Sequence, residues 1–175
     1  MQVIFLPGTW TVFLCFIIWP LLQFLAALLC LNLPDSALSS DSFLFRSRSY
    51  ENGGLIYDKI FRVSKWKHLV PDGNIVSRQK RFKKKHLENF SEENIGRFLL
   101  ESARAELSHW LAILPFWLFG FFVPSEVLWY MLIYALAINL PCIIIQRYNR
   151  PRLQRLLDRM VRNDRMLKGV EGITK

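Results

Sequence analysis

The strongest constraint on the fold is a pair of apolar segments, residues 107–123 and 127–145, that only Pro124-Ser125-Glu126 separate. Each segment approaches the length that an α-helix needs to cross the hydrocarbon core of a bilayer. Because the connection leaves room only for a tight turn, the two helices must be antiparallel, and their outer ends lie at the same membrane face. We therefore predict a transmembrane helical hairpin over residues 105–146.

The hairpin geometry pairs residues that are equally distant from its turn. If the turn is centred near Pro124, His109 of the first helix lies within one residue of the level of Asn139 on the second. Glu106 and His109 are three residues apart and share a helix face. Ionisable groups inside a membrane are costly and are therefore functional candidates. The alternative is structural, with the two side chains satisfying each other or reaching for the interface.

The charged residues are segregated along the chain. The sequence is 52% hydrophobic, yet its net charge is +9. Residues 1–31 carry no charge, and residues 105–146 carry only Glu106 and Glu126, so the 23 Lys and Arg lie in 35–104 or from Arg147 onward. This is the pattern of a membrane protein. An anionic lipid surface explains the basic charge, and we expect membrane lipid rather than nucleic acid as a partner.

The first apolar segment, within residues 1–33, is either a cleaved signal peptide or a retained signal-anchor helix. It lacks the basic amino-terminal region of a signal peptide and is too long, which favours a retained helix. The chain is then a single membrane domain, residues 1–175, of all-α class with about three transmembrane helices. Because basic segments stay inside, the loop 34–104 and the tail 147–175 should be cytoplasmic, in a multi-pass protein of the cell membrane.

Several segments outside the spans show helical amphipathicity. Ile56, Ile60 and Val63 share one face, which predicts an interfacial helix lying among the lipid headgroups. We expect the membrane as its partner, because the loop has too little apolar material for a core of its own. The tail 147–175 is a basic amphipathic helix. A further helix should begin after an N-cap at Ser91 and continue into the hairpin, with Pro115 as a kink.

A second histidine lies outside the hairpin. His68 precedes a turn at Pro71–Gly73 and is four residues from Asp72, one residue closer than in the His-Asp motif of some glycerolipid acyltransferases. It is the competing catalytic candidate. A basic run, Arg78–His86, follows and is interpreted as a lipid-contacting loop. The three cysteines show no metal-binding or redox spacing, and we predict no metal and no cofactor.

Three sequence blocks resemble one known family. The blocks are Lys65–His68 with Asp72-Gly73, Arg104–Trp110, and Asn139 with Pro141 and Gln146–Leu153. They are similar to the glycosyl-4,4'-diaponeurosporenoate acyltransferases of staphyloxanthin-type carotenoid synthesis, over about residues 40–155. The resemblance implies a membrane O-acyltransferase that esterifies the glucose 6-hydroxyl of a glycosylated C30 carotenoid. Its partners would be that carotenoid and a fatty acyl donor.

The residues suggest roles that fit such a reaction. Acylation of a hydroxyl needs a general base, for which His109 is suited near neutral pH, with Glu106 orienting the ring or stabilising the imidazolium. The predicted substrate-binding residues are Trp66, Arg104, Asn139, Gln146, Arg147, Asn149 and Arg150. Two alternatives remain open at this point. The chain could be a non-catalytic membrane scaffold, or another membrane enzyme that modifies an isoprenoid or a lipid.

Overall fold

The structure is a computed structural model that describes residues 2–39, 42–70 and 91–173, with side chains up to residue 167. It is helical, and the described residues contain no strand. The five α-helices of the described residues are α1 Gly8–Asn32, α2 Leu55–Phe61, α3 Val63–Trp66, α4 Glu92–Ile113 and α5 Ser125–Ile173. Short 3₁₀ helices lie at Asp35–Leu38, Ser49–Gly54, Lys67–Leu69 and Leu114–Phe121. Asp72 and the run Arg78–His86 lie outside the described residues.

The chain divides into two compact units, each built from two separate segments. The first unit comprises Met1–Pro34 and Arg104–Ile144, and the second comprises Asp35–Ala103 and Ile145–Lys175. Helices α4 and α5 each contribute residues to both units. The residues of the predicted hairpin thus belong mainly to the first unit, and the basic loop and tail belong to the second.

The first unit packs α1 against the hairpin through aromatic rings. Trp19 of α1 is buried, and its ring centroid lies 5.1 Å from that of Phe119 and 5.3 Å from that of Tyr134. The main-chain N–H groups of Val3 and Ile4 both donate to the carbonyl of Phe121 at 2.9 Å. The buried core of this unit consists of Trp19, Ile113, Phe119, Phe122, Val123, Ala135 and Ile143.

The first arm of the hairpin changes its helix type. Helix α4 ends at Ile113, and the chain continues as a 3₁₀ helix from Leu114 to Phe121. Pro115 explains the change, because proline has no N–H and its ring clashes with the carbonyl four residues earlier. The predicted kink is therefore a switch of helix type. The predicted tight turn is confirmed, since α5 begins at Ser125 and Val127 N–H donates to the carbonyl of Pro124 at 3.0 Å.

Two helices of the described residues are long and apolar enough to cross a membrane, Gly8–Asn32 and Ser125–Leu167. They suggest a membrane protein and confirm the predicted α-helix in the first apolar segment. The segment 107–123 consists of the end of α4 and a 3₁₀ helix, so it is no uninterrupted α-helix. The predicted count of three spans, like the orientation, stays a prediction.

Apolar residues are also buried in the second unit, among them Leu38, Phe45, Val63, Ile95 and Leu99. The membrane as the partner of the interfacial helix stays a prediction. The predicted shared face of Ile60 and Val63 is wrong, because Val63 is buried whereas Ile60 is exposed. Arg62, with φ 50°, ends α2 and redirects the chain between them.

The predicted start of the helix after the basic loop is confirmed. The Ser91 hydroxyl accepts a hydrogen bond from the main-chain N–H of Asn94 at 3.2 Å, as an N-cap side chain does. Glu93 and Arg97, one turn apart on the exposed side of α4, form an ion pair. Helix α4 then continues without a break to Ile113 and carries Arg104, Glu106 and His109 of the predicted site.

Candidate functional site

His109 and Asn139 meet across the hairpin. His109 Nδ1 lies 2.9 Å from Asn139 Oδ1, which confirms that these two residues lie at one level. Asn139 is fully buried, and its Nδ2 donates to the carbonyl of Ala135 at 2.9 Å. That bond identifies the other amide atom, the one that faces the imidazole, as the oxygen.

This orientation of Asn139 determines the tautomer of neutral His109. An amide oxygen only accepts, so Nδ1 of the ring must carry the hydrogen that it donates. The lone pair of the neutral ring is then on Nε2, the atom that can take a proton. His109 is only half-buried. The structure thus holds Nδ1 of His109, and in the neutral ring Nε2 is the basic nitrogen.

Glu106 lies one helical turn before the histidine and is fully buried. Its Oε1 accepts a hydrogen bond from Trp110 Nε1 at 3.4 Å. The spacing of three residues places Glu106 and His109 on the same side of α4. Orientation of the His109 ring by Glu106 stays a prediction, and the bond to Asn139 already supplies one orienting contact.

Arg104 caps the end of α1. Its NH1 donates to the carbonyl of Cys30 at 2.8 Å and to that of Leu33 at 3.3 Å, and the side chain is buried. The last carbonyls of a helix have no partner within the helix, and a cation is favourable there. This contact gives Arg104 a structural role in the first unit. Its predicted contact with a substrate stays a prediction.

Glu51 is the centre of a second buried polar group, in the second unit. It is 1% exposed and accepts hydrogen bonds from Tyr57 Oη at 2.5 Å, from the main-chain N–H of Arg48 at 2.7 Å and from Arg147 NH1 at 3.3 Å. Burial, and then the hydrogen bond to Glu51, raise the pKa of the Tyr57 phenol well above its usual range. No local sequence pattern marks Glu51, because its arginine partner is 96 residues away.

Three arginines of α5 hold the loop through its main-chain carbonyls. Arg147 NH2 donates to Leu44 O at 2.6 Å. Arg150 NH1 donates to Phe45 O at 3.2 Å, and Arg155 NH2 to Gly53 O at 2.8 Å. We call Arg147, Arg150 and Arg155, together with Glu51, the arginine clamp. Substrate binding by Arg147 and Arg150 stays a prediction, but the contacts of both residues are those of packing.

The remaining predicted residues differ in how firmly the structure holds them. Gln146 Oε1 accepts from the buried Ser102 hydroxyl at 2.8 Å, a partner that sequence analysis missed. Trp66 Nε1 donates to Phe61 O at 2.7 Å. The side chains of Asn149 and His68 have no hydrogen bond to any residue that the structure describes, and His68 is exposed.

This comparison separates the two candidate histidines. A general base must be held near the proton that it removes. His109 is bound to a buried amide, whereas nothing among the described residues orients His68. The geometry therefore favours His109, and the role of His68 stays the competing prediction.

An apolar pocket of about 290 Å³ lies within the first unit. Its polar lining atoms are few: Thr11 Oγ1 donates to the carbonyl of Pro7 at 3.3 Å and is thus occupied. Pockets of this kind suit an apolar ligand with few polar groups. The lining residues are Thr11, Val12, Cys15, Phe16, Trp19, Pro20, Val123, Val127, Met131 and Tyr134. Within the part of the chain that the structure describes, no group of three His, Cys, Asp or Glu is placed to hold a metal ion.

Comparison with known proteins finds one family. The sequence model of the glycosyl-4,4'-diaponeurosporenoate acyltransferases matches residues 41–159. Proteins of that name from Staphylococcus aureus strains bovine RF122 and USA300 are each 37% identical to this chain over 147 residues. The alignments cover 84% of this chain and 88% of each relative. No solved structure matches.

Proposed function

Because the chain belongs to the glycosyl-4,4'-diaponeurosporenoate acyltransferase family, and is therefore an acyltransferase, we propose that it esterifies the glucose 6-hydroxyl of a glycosylated C30 carotenoid with a fatty acyl chain. This would be the final step of a staphyloxanthin-type synthesis. We propose the carotenoid as substrate because the names of the relatives contain it. The proposed chemistry is based on the hydrogen bond between His109 and Asn139.

His109 is the general base of the proposed reaction. Its Nε2 takes the proton of the glucose hydroxyl while the hydroxyl oxygen attacks the carbonyl carbon of the acyl donor. The tetrahedral intermediate then collapses, the bond between the carbonyl carbon and the carrier breaks, and His109 returns the proton to the leaving group. The transfer is direct, and no acyl-enzyme is formed.

Asn139 and Glu106 support the histidine in different ways. Asn139 is a positioning residue, since its buried amide fixes the tautomer and the plane of the ring. A buried amide in this place resembles the use of asparagine beside histidine in papain-like proteases. Glu106 stabilises the imidazolium that forms in the transition state. Both roles require that the polar groups stay shielded from water, which strengthens their interactions.

The apolar pocket of the first unit is suited to the fatty acyl chain. Its volume of about 290 Å³ is at the lower end for ligand pockets, which favours the smaller of the two apolar substrates. Met131 and Val127 line the pocket on α5, the helix that also carries Asn139. The carotenoid would then approach from the lipid phase.

We also propose that the protein is an integral protein of the cell membrane with three spans, and that the basic loop and the carboxyl terminus are cytoplasmic. The segregation of charge and the two long apolar helices support this. Reporters fused after Lys175 and at the amino terminus test the orientation. A carboxyl-terminal reporter that works only outside the cell would refute it.

The test of the proposed reaction uses the full-length protein purified in lipid nanodiscs. The enzyme receives the glycosylated carotenoid and a fatty acyl thioester, and mass spectrometry and NMR identify the product. We expect one acyl group as an ester at the 6-hydroxyl of the glucose. Acylation of a membrane lipid instead of the glucose would show that the chain is a different lipid-modifying enzyme.

A further inference from the structure

Two cationic side chains of the second unit meet at one aromatic ring. Arg152 Cζ lies 3.7 Å from the ring centroid of Tyr148, and Lys67 Nζ lies 5.2 Å from it. Tyr148 and Arg152 are one helical turn apart on α5, whereas Lys67 comes from a 3₁₀ helix of the loop. The Tyr148 side chain is buried and thus a fixed platform, which attracts cations through its negative face.

These two cations differ from the arginines of the clamp. Arg147, Arg150 and Arg155 donate to carbonyl oxygens of the main chain. Neither the Lys67 nor the Arg152 side chain has a hydrogen bond or an ion pair with any residue that the structure describes. Lys67 is exposed, and Arg152 is partly exposed.

One carboxylate lies near the two cations and does not neutralise both. The main-chain N–H of Ser64 donates to Asp58 Oδ1 at 2.9 Å and is the main reason why the pKa of Asp58 is lowered. The charges of Arg152 and Lys67 lower the pKa of Asp58 further. Lys67, Arg152 and Asp58 together carry two positive charges and one negative charge, so their net charge is positive.

We propose that Lys67 and Arg152 form a phosphate-binding site on the Tyr148 ring. A guanidinium matches two oxygens of a phosphate with parallel N–H groups, and an ammonium adds a compact charge. The inference rests on the proposed function and adds that the carrier of the fatty acyl chain bears this phosphate. The same chemistry would bind the phosphate of an anionic lipid headgroup, and the experiment separates these two sources.

The experiment measures coenzyme A binding to the full-length protein in phosphatidylcholine nanodiscs, without any acyl transfer. In the double variant Lys67→Gln/Arg152→Gln the Kd should rise about tenfold or more, since each cation near a phosphate surface contributes roughly a factor of five. The matched control Lys65→Gln/Arg159→Gln removes the same charge from the loop and from α5, and it keeps both Lys67 and Arg152 at the Tyr148 ring. Its Kd should stay within about twofold, because salt screens distant exposed charges.

Two further variants test the geometry. Asp58→Asn removes the repelling carboxylate but keeps the oxygen that accepts from Ser64, so coenzyme A should bind several-fold more tightly. Tyr148→Phe keeps the ring and should bind like the wild type. If Asp58→Asn leaves the Kd unchanged, and the double variant binds no more weakly than its matched control, the phosphate site is refuted.

A second measurement identifies the source of the phosphate. Native mass spectrometry counts the phosphatidylglycerol molecules that the protein retains from mixed nanodiscs. Loss of retained phosphatidylglycerol in the double variant, with unchanged coenzyme A binding, would overturn the assignment to the acyl carrier. Failure of the proposed function is distinct from both results, since coenzyme A would then bind through Lys67 and Arg152 while no glucose ester forms.

Discussion

Two buried polar groups, one in each unit, are held in different ways. In the first unit, Asn139 binds one nitrogen of His109, the residue that we propose as the catalytic base. In the second unit, Glu51 receives three hydrogen bonds, and Arg147 donates to Glu51 and to a carbonyl. A reactive group must keep a bonding position for the substrate, whereas a packing group is most stable when its partners are within the protein.

The difference shows that burial of a charged or polar residue does not by itself identify a catalytic residue. Arg104, Arg147 and Arg150 lie in the sequence blocks of the family resemblance, and each donates to a main-chain carbonyl. His109, in contrast, is held by a side chain that is itself fixed. We therefore expect substitutions at His109 and Asn139 to lower activity, and substitutions in the arginine clamp to lower stability.

The largest expected effect is that of His109→Gln. Loss of a positioned general base lowers the rate by about 10²- to 10⁴-fold. Glutamine keeps a polar side chain of similar size, so the protein should accumulate and unfold at nearly the same temperature. Turnover of the glycosylated carotenoid by the purified variant is the measurement, and His68→Gln is the control. If His68→Gln abolishes turnover while His109→Gln retains it, the catalytic base is His68.

Asn139→Leu should lower the rate by about 10- to 100-fold, less than loss of the base itself, because His109 remains but its tautomer and orientation are no longer fixed. Asn139→Asp provides a readout that a packing role would not give. A carboxylate beside the ring stabilises the imidazolium, so the acidic limb of the pH–rate profile should move to higher pH. An unchanged pH profile in an active, folded Asn139→Asp variant would contradict the positioning role.

In the arginine clamp, Arg147→Gln should lower the free energy of unfolding by about 1.5–3 kcal/mol, the contribution of hydrogen bonds to charged groups. Thermal unfolding of the purified protein gives the change, and the exposed Arg159→Gln is the control for lost charge. Activity per folded molecule should stay within severalfold of the wild type. A loss of activity comparable to that of His109→Gln, at full stability, would place Arg147 in the active site. It would refute the claim that the arginine clamp contributes to stability and not to catalysis.

The smallest effects come from two glycines of the second unit. Gly54 has φ 88°, and a Cβ there would lie 2.6 Å from the carbonyl oxygen of Tyr148, so Gly54→Ala should destabilise the protein by about 1–3 kcal/mol. Gly96 lies within α4 with open space around it. Gly96→Ala should therefore stabilise by about 0.5–1 kcal/mol. Equal unfolding temperatures of the two variants would show that position 54 accepts a Cβ despite its positive φ and the nearby carbonyl of Tyr148.

Much of the fold follows from the sequence by elementary rules. The first apolar segment, the turn at Pro124 and the N-cap at Ser91 are local signals, and each is confirmed. The contact between His109 and Asn139 was also predictable, because a tight turn forces residues at equal distance from it to the same level. Pro115 marked a disturbance of the helix, but whether it produced a kink or a 3₁₀ helix depended on how the following aromatic residues pack.

The sequence by itself determined the long helices, the pairing across the hairpin and the family of the chain. Only the tertiary structure decided which partner each polar side chain has. Glu51 and Arg147 are separated by 96 residues, and Arg104 reaches a carbonyl 74 residues away. Helical periodicity places residues on faces over a few turns, whereas such contacts depend on the directions of distant segments. Arginine is typical both of anion binding and of carbonyl capping, and its sequence context does not distinguish these uses until the partner is in place.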